Sequence, residues 1–216
     1  MVLSLDRVAK FYGDKPVLRE VSLSLAAGQV LLVAGENGAG KSTLLKVMAG
    51  LSRPSAGTVR QGVDQARVAY LGHATFLYPR LTALENLRFW ARIYGVPGDE
   101  AALSAALERV GLAAAGHEEA GAFSRGMAQR LSLARVFLTA PQLIFLDEPG
   151  TGLDVRSRDV LRAEIRAARD RGAALVWVSH ALAEDLACAD LVLTLEKGRV
   201  GSFGPASQCP IPGSAA

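Results

Sequence analysis

Apolar and polar positions alternate along the first third of the chain, and this pattern predicts strands. Residues 3–5 and 21–25 follow the period-2 spacing of half-buried strands, and residues 58–63 and 67–71 are shorter strand candidates. Three later runs are apolar throughout, as buried parallel strands are: residues 30–34, 143–146 and 176–178. The pattern therefore predicts an α/β fold whose N-terminal part is rich in strands.

The spacing becomes helical after residue 82. Residues 82–85 (T-A-L-E) form a capping box, and apolar side chains follow it at helical spacing: Leu87, Trp90, Ile93 and Tyr94. Residues 95–98 (G-V-P-G) end this helix, and Asp99 can cap a second helix over residues 101–110. We therefore expect residues 75–135 to be a helical insertion in the α/β chain.

Composition narrows the class of protein. Half of the 216 residues are hydrophobic, but no apolar run approaches the roughly 20 residues that cross a bilayer. Charged residues appear within residues 1–7, which is too early for the apolar segment of a signal peptide. Cys188 and Cys209 lack the spacing of a zinc site or a disulfide framework. A formal net charge of +3 without a basic block permits contact with an anionic membrane surface but argues against nucleic acid. We expect a reducing, cytoplasmic setting.

Residues 35–42 (G-E-N-G-A-G-K-S) form a Walker A phosphate loop between the apolar run 30–34 and a helical segment. The glycines let backbone N–H groups turn toward phosphate oxygens, and the helix N-terminus adds a partial positive charge. Lys41 is placed for the β- and γ-phosphates, and the Ser42 hydroxyl for Mg²⁺. The predicted nucleotide-binding residues of this loop are Gly35, Glu36, Asn37, Gly38, Ala39, Gly40, Lys41, Ser42 and Thr43. The motif predicts that the chain binds ATP with Mg²⁺.

Polar residues follow the two later apolar runs. Asp147 and Glu148 end the run 143–146, where Asp147 can hold Mg²⁺ and Glu148 can orient or deprotonate the attacking water. His180 follows the run 176–178 and can contact the γ-phosphate, although a structural histidine is the alternative. We therefore take Lys41, Glu148 and His180 as candidate catalytic residues.

Residues 123–135 (F-S-R-G-M-A-Q-R-L-S-L-A-R) resemble the signature motif of the ATP-binding cassette family, and the resemblance spans residues 1–204. Ser124 and Gly126 match that motif, whereas Arg125 and Met127 depart from it. The resemblance implies a RecA-like P-loop core (residues 1–74 and 136–204), an N-terminal antiparallel β subdomain and a helical signature subdomain (residues 75–135). It also implies a homodimer in which residues 124–127 complete the partner's ATP site. Residues 205–216 are expected to be a loose tail.

Three further positions match the family. Residues 151–154 (T-G-L-D) resemble the loop that couples the two sites of the dimer through Asp154. Tyr12 resembles the aromatic residue that stacks on adenine, with a half-buried strand residue as the alternative. Gly72 and His73 replace the proline and glutamine of the family's Gln loop. His73 either keeps the sensing and Mg²⁺-binding role in a weaker form or the coupling differs.

A cassette without a membrane span implies an integral membrane permease subunit and a peripheral position on the cytoplasmic face of the inner membrane. In the family the helical subdomain docks on that subunit; here Phe89, Trp90 and Tyr94 can contribute, with core packing as the alternative for Trp90. Residues 70–89 further resemble the ATPases of bacterial cytochrome c maturation, which implies haem-handling membrane partners. Other exporters of drugs, lipids or polysaccharides are the alternative. A soluble cassette acting on DNA or ribosomes is disfavoured because the sequence shows neither a second cassette nor a long coiled coil. A nonhydrolytic cassette is disfavoured because Lys41, Glu148 and His180 are all present.

Overall fold

The computed structural model describes residues 1–72, 74–179 and 181–209. These described residues form nine strands: β1 (Leu3–Tyr12), β2 (Lys15–Leu25), β3 (Val30–Ala34), β4 (Ala56–Gln61), β5 (Val68–Leu71), β6 (Leu143–Asp147), β7 (Ala174–Val178), β8 (Leu191–Glu196) and β9 (Arg199–Pro205). The α-helices are α1 (Lys41–Met48), α2 (Ala83–Tyr94), α3 (Glu100–Arg109), α4 (Arg125–Phe137), α5 (Val155–Asp170) and α6 (Leu182–Asp185). The expected mixed α/β architecture is confirmed.

Two sheets build the fold. A three-stranded antiparallel sheet has the order β2-β1-β4, and a six-stranded sheet has the order β5-β6-β7-β3-β8-β9. The first five strands in that order are parallel, and β9 is antiparallel at the edge. The carboxyl ends of β3 and β6 therefore lie at the same edge of the larger sheet, where open α/β folds place ligand sites.

The larger sheet separates two hydrophobic layers. In β3, Val30 and Leu32 face the layer formed with helices α2 to α5, whereas Leu31 and Val33 face α1 and the smaller sheet. All five residues of this strand are buried. Burial on both faces explains why the strand is apolar throughout rather than alternating.

The first hairpin is longer than the alternating pattern predicts. Bulges in the β1–β2 pairing fall where Arg7 and Glu20 take φ angles of +46° and +54°. Each bulge inserts one residue and shifts the side-chain alternation while the strand continues. The period-2 pattern therefore marks only the segments between the bulges.

The helical segment begins as the sequence predicts. Thr82 caps α2, and the reciprocal hydrogen bonds with Glu85 complete the capping box. The backbone N–H of Thr82 donates to Glu85, which lowers the pKa of that exposed carboxyl. Asp99 caps α3, and α4 continues two residues beyond the expected limit, to Phe137. The division of residues 1–204 into subdomains stays a prediction.

The start of the expected tail, residues 205–209, is ordered instead. Pro205 ends β9, and the backbone N–H of Ala206 donates to the carbonyl of Asp190 at 2.9 Å. Ala206 and Cys209 pack against the hydrophobic core. The composition of this segment predicted only a loop, because it does not show that these two small side chains contact the core. Residues 210–216 lie outside the described part of the chain. Within that part, no helix is long and apolar enough to cross a membrane.

Candidate nucleotide-binding site

The phosphate loop joins β3 to α1, and two of its glycines are required by the backbone. Gly35 and Gly40 have φ angles of +148° and +105°. A Cβ atom at Gly40 would lie 2.9 Å from the carbonyl oxygen of Val17, and one at Gly35 would overlap the carbonyl of Leu195. Because both loop ends are pressed against neighbouring strands, only glycine fits there.

Lys41 is held inside this loop. Its ammonium group donates hydrogen bonds to the carbonyl oxygens of Gly35 at 2.7 Å and Glu36 at 2.9 Å. The residue is 5% exposed. A cation is therefore fixed within the loop, beside the N-terminus of α1, where both charge and backbone N–H groups favour phosphate.

Asp147 lies at the end of β6 and accepts hydrogen bonds from side chains of α1 and β5. The hydroxyl of Ser42 donates to Oδ1 at 2.9 Å, and the hydroxyl of Tyr70 donates to Oδ2 at 3.1 Å. Asp147 is 1% exposed. Burial, the negative charge of Asp147 and the hydrogen bond to it raise the pKa of Tyr70, which keeps its hydroxyl a donor. The predicted pair Ser42 and Asp147 is thus brought together.

Gly72 makes room for the Tyr70 side chain. A Cβ atom at Gly72 would lie 2.8 Å from Cε1 of Tyr70. A side chain at this position would require the ring to shift. Gly72 thus lets the Tyr70 ring lie where its hydroxyl reaches Asp147.

Glu148 faces the phosphate loop. It has a φ of +53°, and its backbone N–H donates to the carbonyl of Val178 at 3.0 Å. The Thr151 hydroxyl lies 3.5 Å from its Oε2. A pocket of about 220 Å³ is lined by Val17, Asn37, Gly38, Gly40, Lys41, Ser42, Thr43 and Glu148. A carboxylate, a cation and a hydroxyl therefore converge on one cavity.

Tyr12 lies at the tip of the β1–β2 hairpin and is 54% exposed. The ammonium of Lys10 lies 5.1 Å from the centre of its ring. Its strand partner Lys15 is two residues before Val17, which lines the pocket. The ring is thus exposed at the end of the hairpin whose strand β2 contributes Val17 to the pocket, and the adenine assignment stays a prediction.

The signature residues lie elsewhere on the chain. Ser124 caps α4 by accepting a hydrogen bond from the backbone N–H of Met127 at 3.2 Å. The guanidinium of Arg125 covers Gly152, because a Cβ atom at Gly152 would lie 3.0 Å from the Arg125 Cζ. Gly126 lies near Ser124 and Ser157. None of the described residues that line the phosphate pocket comes from this helix.

Asp154 begins the helix after the coupling loop. Its carboxylate accepts a hydrogen bond from the backbone N–H of Ser157 at 2.7 Å. That hydrogen bond lowers the pKa of the exposed Asp154 side chain. Arg125 and Gly152 thus bring the predicted signature segment into contact with the predicted coupling loop within one chain.

Two predicted residues, His73 and His180, lie outside the described part of the chain. The neighbours of position 180 are tightly held. The Ser179 hydroxyl donates to the Asp185 carboxylate and accepts from the backbone N–H of Ala181, while Arg162 Nε donates to Asp185 at 2.9 Å. This network anchors the turn after β7 to helix α5.

Two residues of the site were not predicted from the sequence. Val17 lines the pocket from β2, and Tyr70 holds Asp147 from β5. Tyr70 lies near the end of β5, next to the end of β6 that carries Asp147. A polar side chain at such a position is a signal that sequence analysis could have used. Val17 carries no such signal, because an apolar residue in a strand is ordinary.

Comparisons with known proteins agree with this geometry. The family model described as ABC transporter matches residues 18–151. The chain is 35% identical to the ABC transporter ATP-binding protein NatA of Bacillus subtilis, over 93% of this chain and 87% of that protein. It is 41% identical to the cytochrome c biogenesis ATP-binding export protein CcmA of Methylococcus capsulatus, over 78% of this chain and 86% of that protein.

A solved structure of an ATP-binding subunit of an ABC transporter superposes with a TM-score of 0.86 at 29% identity. The superposition covers 95% of this chain and 90% of that one. NatA and CcmA resemble the chain to a similar degree, so the likeness supports the family more strongly than any one branch. The chain belongs to the ABC transporter family, as an ATP-binding subunit with ATPase activity that works with membrane permease subunits.

Proposed function

We propose that this subunit hydrolyses Mg·ATP as a homodimer on the cytoplasmic face of the inner membrane and thereby drives a complex of the cytochrome c maturation type. The observation that carries the catalytic part is the shared pocket of Lys41, Ser42 and Glu148. Glu148 takes the proton from the attacking water, and Lys41 stabilises the γ-phosphate. His180 is proposed to contact the same phosphate.

The site suits Mg²⁺. Ser42 Oγ and Asp147 Oδ1 are 2.9 Å apart and are hard oxygen ligands of the kind that Mg²⁺ prefers. Tyr70 holds the second oxygen of Asp147 and so fixes the carboxylate plane. When bound, the ion would neutralise charge on the phosphates. His73 is proposed to sense the nucleotide at this position, in place of the family's glutamine.

The second half of each site is proposed to come from the other protomer. Ser124 and the first backbone N–H groups of α4 form a helix start, a feature that favours anions, and none of these residues lines the phosphate pocket of their own chain. A head-to-tail dimer would place residues 124–127 against the partner's γ-phosphate, and Asp154 would couple the two sites. Tyr12 would stack on adenine.

The haem assignment rests on two features. The Gly72-His73 pair and the run 81–89 (L-T-A-L-E-N-L-R-F) match the cytochrome c maturation pattern, and CcmA is among the similar relatives. The membrane partners would then be haem-handling proteins, while haem itself would not bind this chain. A different exporter is the second candidate, because NatA is similar over a larger share of the chain.

Glu148→Gln tests the catalytic assignment. We expect ATP binding to persist while the steady-state ATPase rate falls by at least about 100-fold, because the general base is lost. Lys41→Ala should instead abolish tight ATP binding. Glu108→Gln, an exposed carboxylate on α3, is the matched control and should change neither. A Glu148→Gln protein that hydrolyses ATP at the wild-type rate would refute the assignment.

Co-purification tests the partner assignment. The ATP-loaded Glu148→Gln protein is recovered from detergent-solubilised membranes of its own source, and the co-purifying proteins are identified by mass spectrometry. Haem-handling membrane proteins would support cytochrome c maturation. A permease of another kind would refute it and favour the second candidate.

A further inference from the structure

Glu148 is held in a backbone conformation that its residue type disfavours. Its φ of +53° lies in the left-handed region, which residues other than glycine seldom enter. Pro149 follows directly, and the residue before a proline favours extended backbone instead. A conformation that is unfavourable for both reasons persists only where the surrounding structure holds it.

Hydrogen bonds from three directions hold this segment. The backbone N–H of Glu148 donates to the carbonyl of Val178 at 3.0 Å, and that of Thr151 donates to the carbonyl of Glu148 at 3.1 Å. The side-chain amide of Gln129 donates through Nε2 to the carbonyl of Pro149 at 3.2 Å. The first two bonds come from β7 and from the turn itself, whereas the third comes from α4.

The carbonyl of Pro149 transmits this third bond to Glu148. Pro149 is buried, so water has little access to its carbonyl, and loss of the Gln129 donor would favour a movement toward another donor. The proline ring fixes φ at residue 149. Because that rotation is blocked, a movement of the Pro149 carbonyl is passed to the backbone of Glu148 more directly than it would be through an ordinary residue.

Gln129 belongs to a row of polar residues on one face of α4. Arg125, Gln129 and Ser132 are spaced by four and three residues, which places them on the same side of a helix. Arg125 covers Gly152, and the Ser132 hydroxyl donates to the carbonyl of Thr75 at 3.1 Å. This face of α4 thus contacts three separate loops, and the contact of Gln129 lies one residue from the proposed base.

The C-terminal end of α4 is anchored to α2. Arg135 is 4% exposed, and its Nη1 donates to the hydroxyl of Tyr94 at 3.0 Å. The ring centres of Trp90 and Phe76 lie 4.9 and 5.7 Å from its Cζ, so these rings and that of Tyr94 form an aromatic cage around Arg135. Helix α4 is therefore fixed to the helical segment at one end and reaches the turn after the base with the side chain of Gln129.

We propose that Gln129 is a positioning residue for Glu148, which it holds in the left-handed conformation through the carbonyl of Pro149. The inference rests on the proposed role of Glu148 as the base. Gln129 is not among the described residues that line the phosphate pocket, so it acts through the backbone of the base and not on the nucleotide. Hydrolysis then depends on the position of α4, whereas nucleotide binding by the phosphate loop does not.

Gln129→Met tests the role, because it keeps the length of the side chain and removes the donor. We expect kcat for ATP hydrolysis to fall about 10-fold, since small displacements of a catalytic group are costly in rate, while ATP affinity stays within about two-fold. Gln61→Met is the matched control: Gln61 Nε2 also donates to a backbone carbonyl, that of Met48 at 2.6 Å. The control should lower the unfolding temperature to a similar degree and leave kcat unchanged.

A kinetic cycle with Glu148→Gln separates positioning from a general weakening of the fold. In that background Gln129→Met should have no further effect on the residual ATPase rate, because a residue that acts through the base has no base left to position. Gln129→Asn keeps the amide but shortens the side chain beyond reach of Pro149. It should reproduce the loss in kcat, and it replaces Gln129→Met in the cycle if that variant does not fold.

The outcomes separate the two proposals. If Glu148→Gln hydrolyses ATP at the wild-type rate, the assignment of the base fails and the inference falls with it. If Glu148→Gln is slow but a folded Gln129→Met protein keeps the wild-type kcat, the inference alone is overturned. Equal fold-losses in the wild-type and Glu148→Gln backgrounds would also overturn it, since Gln129 would then act independently of the base.

Discussion

Tyr70 and Gly72 show how the absence of a side chain at one residue makes room for a neighbouring interaction. The Tyr70 hydroxyl is the described donor to Oδ2 of the buried Asp147, and its ring occupies the space that a side chain at residue 72 would need. Removing the donor would leave a buried carboxylate oxygen unsatisfied. The two positions should therefore be energetically coupled.

A double-mutant cycle measures this coupling. We expect Tyr70→Phe to lower the free energy of unfolding by about 1–3 kcal/mol, because Asp147 loses a donor. Gly72→Ala should lower it as well, since the new Cβ displaces the ring. The double variant should lose at least about 0.5 kcal/mol less than the sum, because the ring without its hydroxyl can move aside. Additive losses in urea denaturation would contradict the coupling.

At the scale of elements, the turn after β7 depends on helix α5. Asp185 is 3% exposed and receives hydrogen bonds from Ser179 and Arg162, so the residues on both sides of position 180 are tied to α5. Helix α6 has only four residues and cannot position this turn alone. If His180 acts in catalysis as proposed, loss of this network should lower the ATPase rate.

Asp185→Asn tests this dependence. We expect a loss of about 1.5–3 kcal/mol in the free energy of unfolding, because the hydrogen bonds to a charged acceptor are weakened. The ATPase kcat should fall while ATP affinity, which depends on the phosphate loop, stays within a few-fold. Asp159→Asn, which removes an exposed carboxylate 3.5 Å from the same arginine, is the control. An unchanged kcat in a folded Asp185→Asn protein would refute the positioning role.

The helices and strands also show which parts of the fold the sequence predicts correctly. Capping residues and uniform apolar runs gave correct starts for α2, β3 and β6 and placed the start of α3 within one residue, because these signals are local. The β1–β2 hairpin exceeded its alternating segments, because bulges shift the side-chain period without ending the strand. The Ser42–Asp147 contact followed from two motifs, whereas Val17 depends on the packing of the hairpin over the loop.

At the scale of the whole molecule, the phosphate pocket and the signature helix are separate features of one chain. Arg125 covers Gly152, so the predicted signature segment and the predicted coupling loop are in contact within the protomer. A second copy is expected to bring its signature to the first copy's phosphates. Arg125 would then contribute both to the intrachain contact and to the interface.

Dimerisation by ATP tests this arrangement. In the Glu148→Gln background we expect Mg·ATP to convert monomer to dimer, measured by size-exclusion chromatography with light scattering. Arg125→Gly should alter the dimer fraction while changing the free energy of unfolding by no more than about 1 kcal/mol, as an exposed helix-end substitution does. Arg80→Gly, an exposed turn residue, is the control. An unchanged dimer fraction with Arg125→Gly would argue against a role for the signature.

The aromatic cage around Arg135 on α2 and α4 also gives the protein a built-in optical reporter. The chain has two tryptophans: Trp177 is 1% exposed within β7, whereas Trp90 stacks on Tyr94 at 5.5 Å beside the Arg135 guanidinium. Indole emission depends on local charge and solvent, so a change in the position of the Arg135 guanidinium should shift the Trp90 emission and leave that of Trp177 unchanged. Movement of α2 relative to α4 can thus be followed by the intrinsic fluorescence of the unlabelled protein.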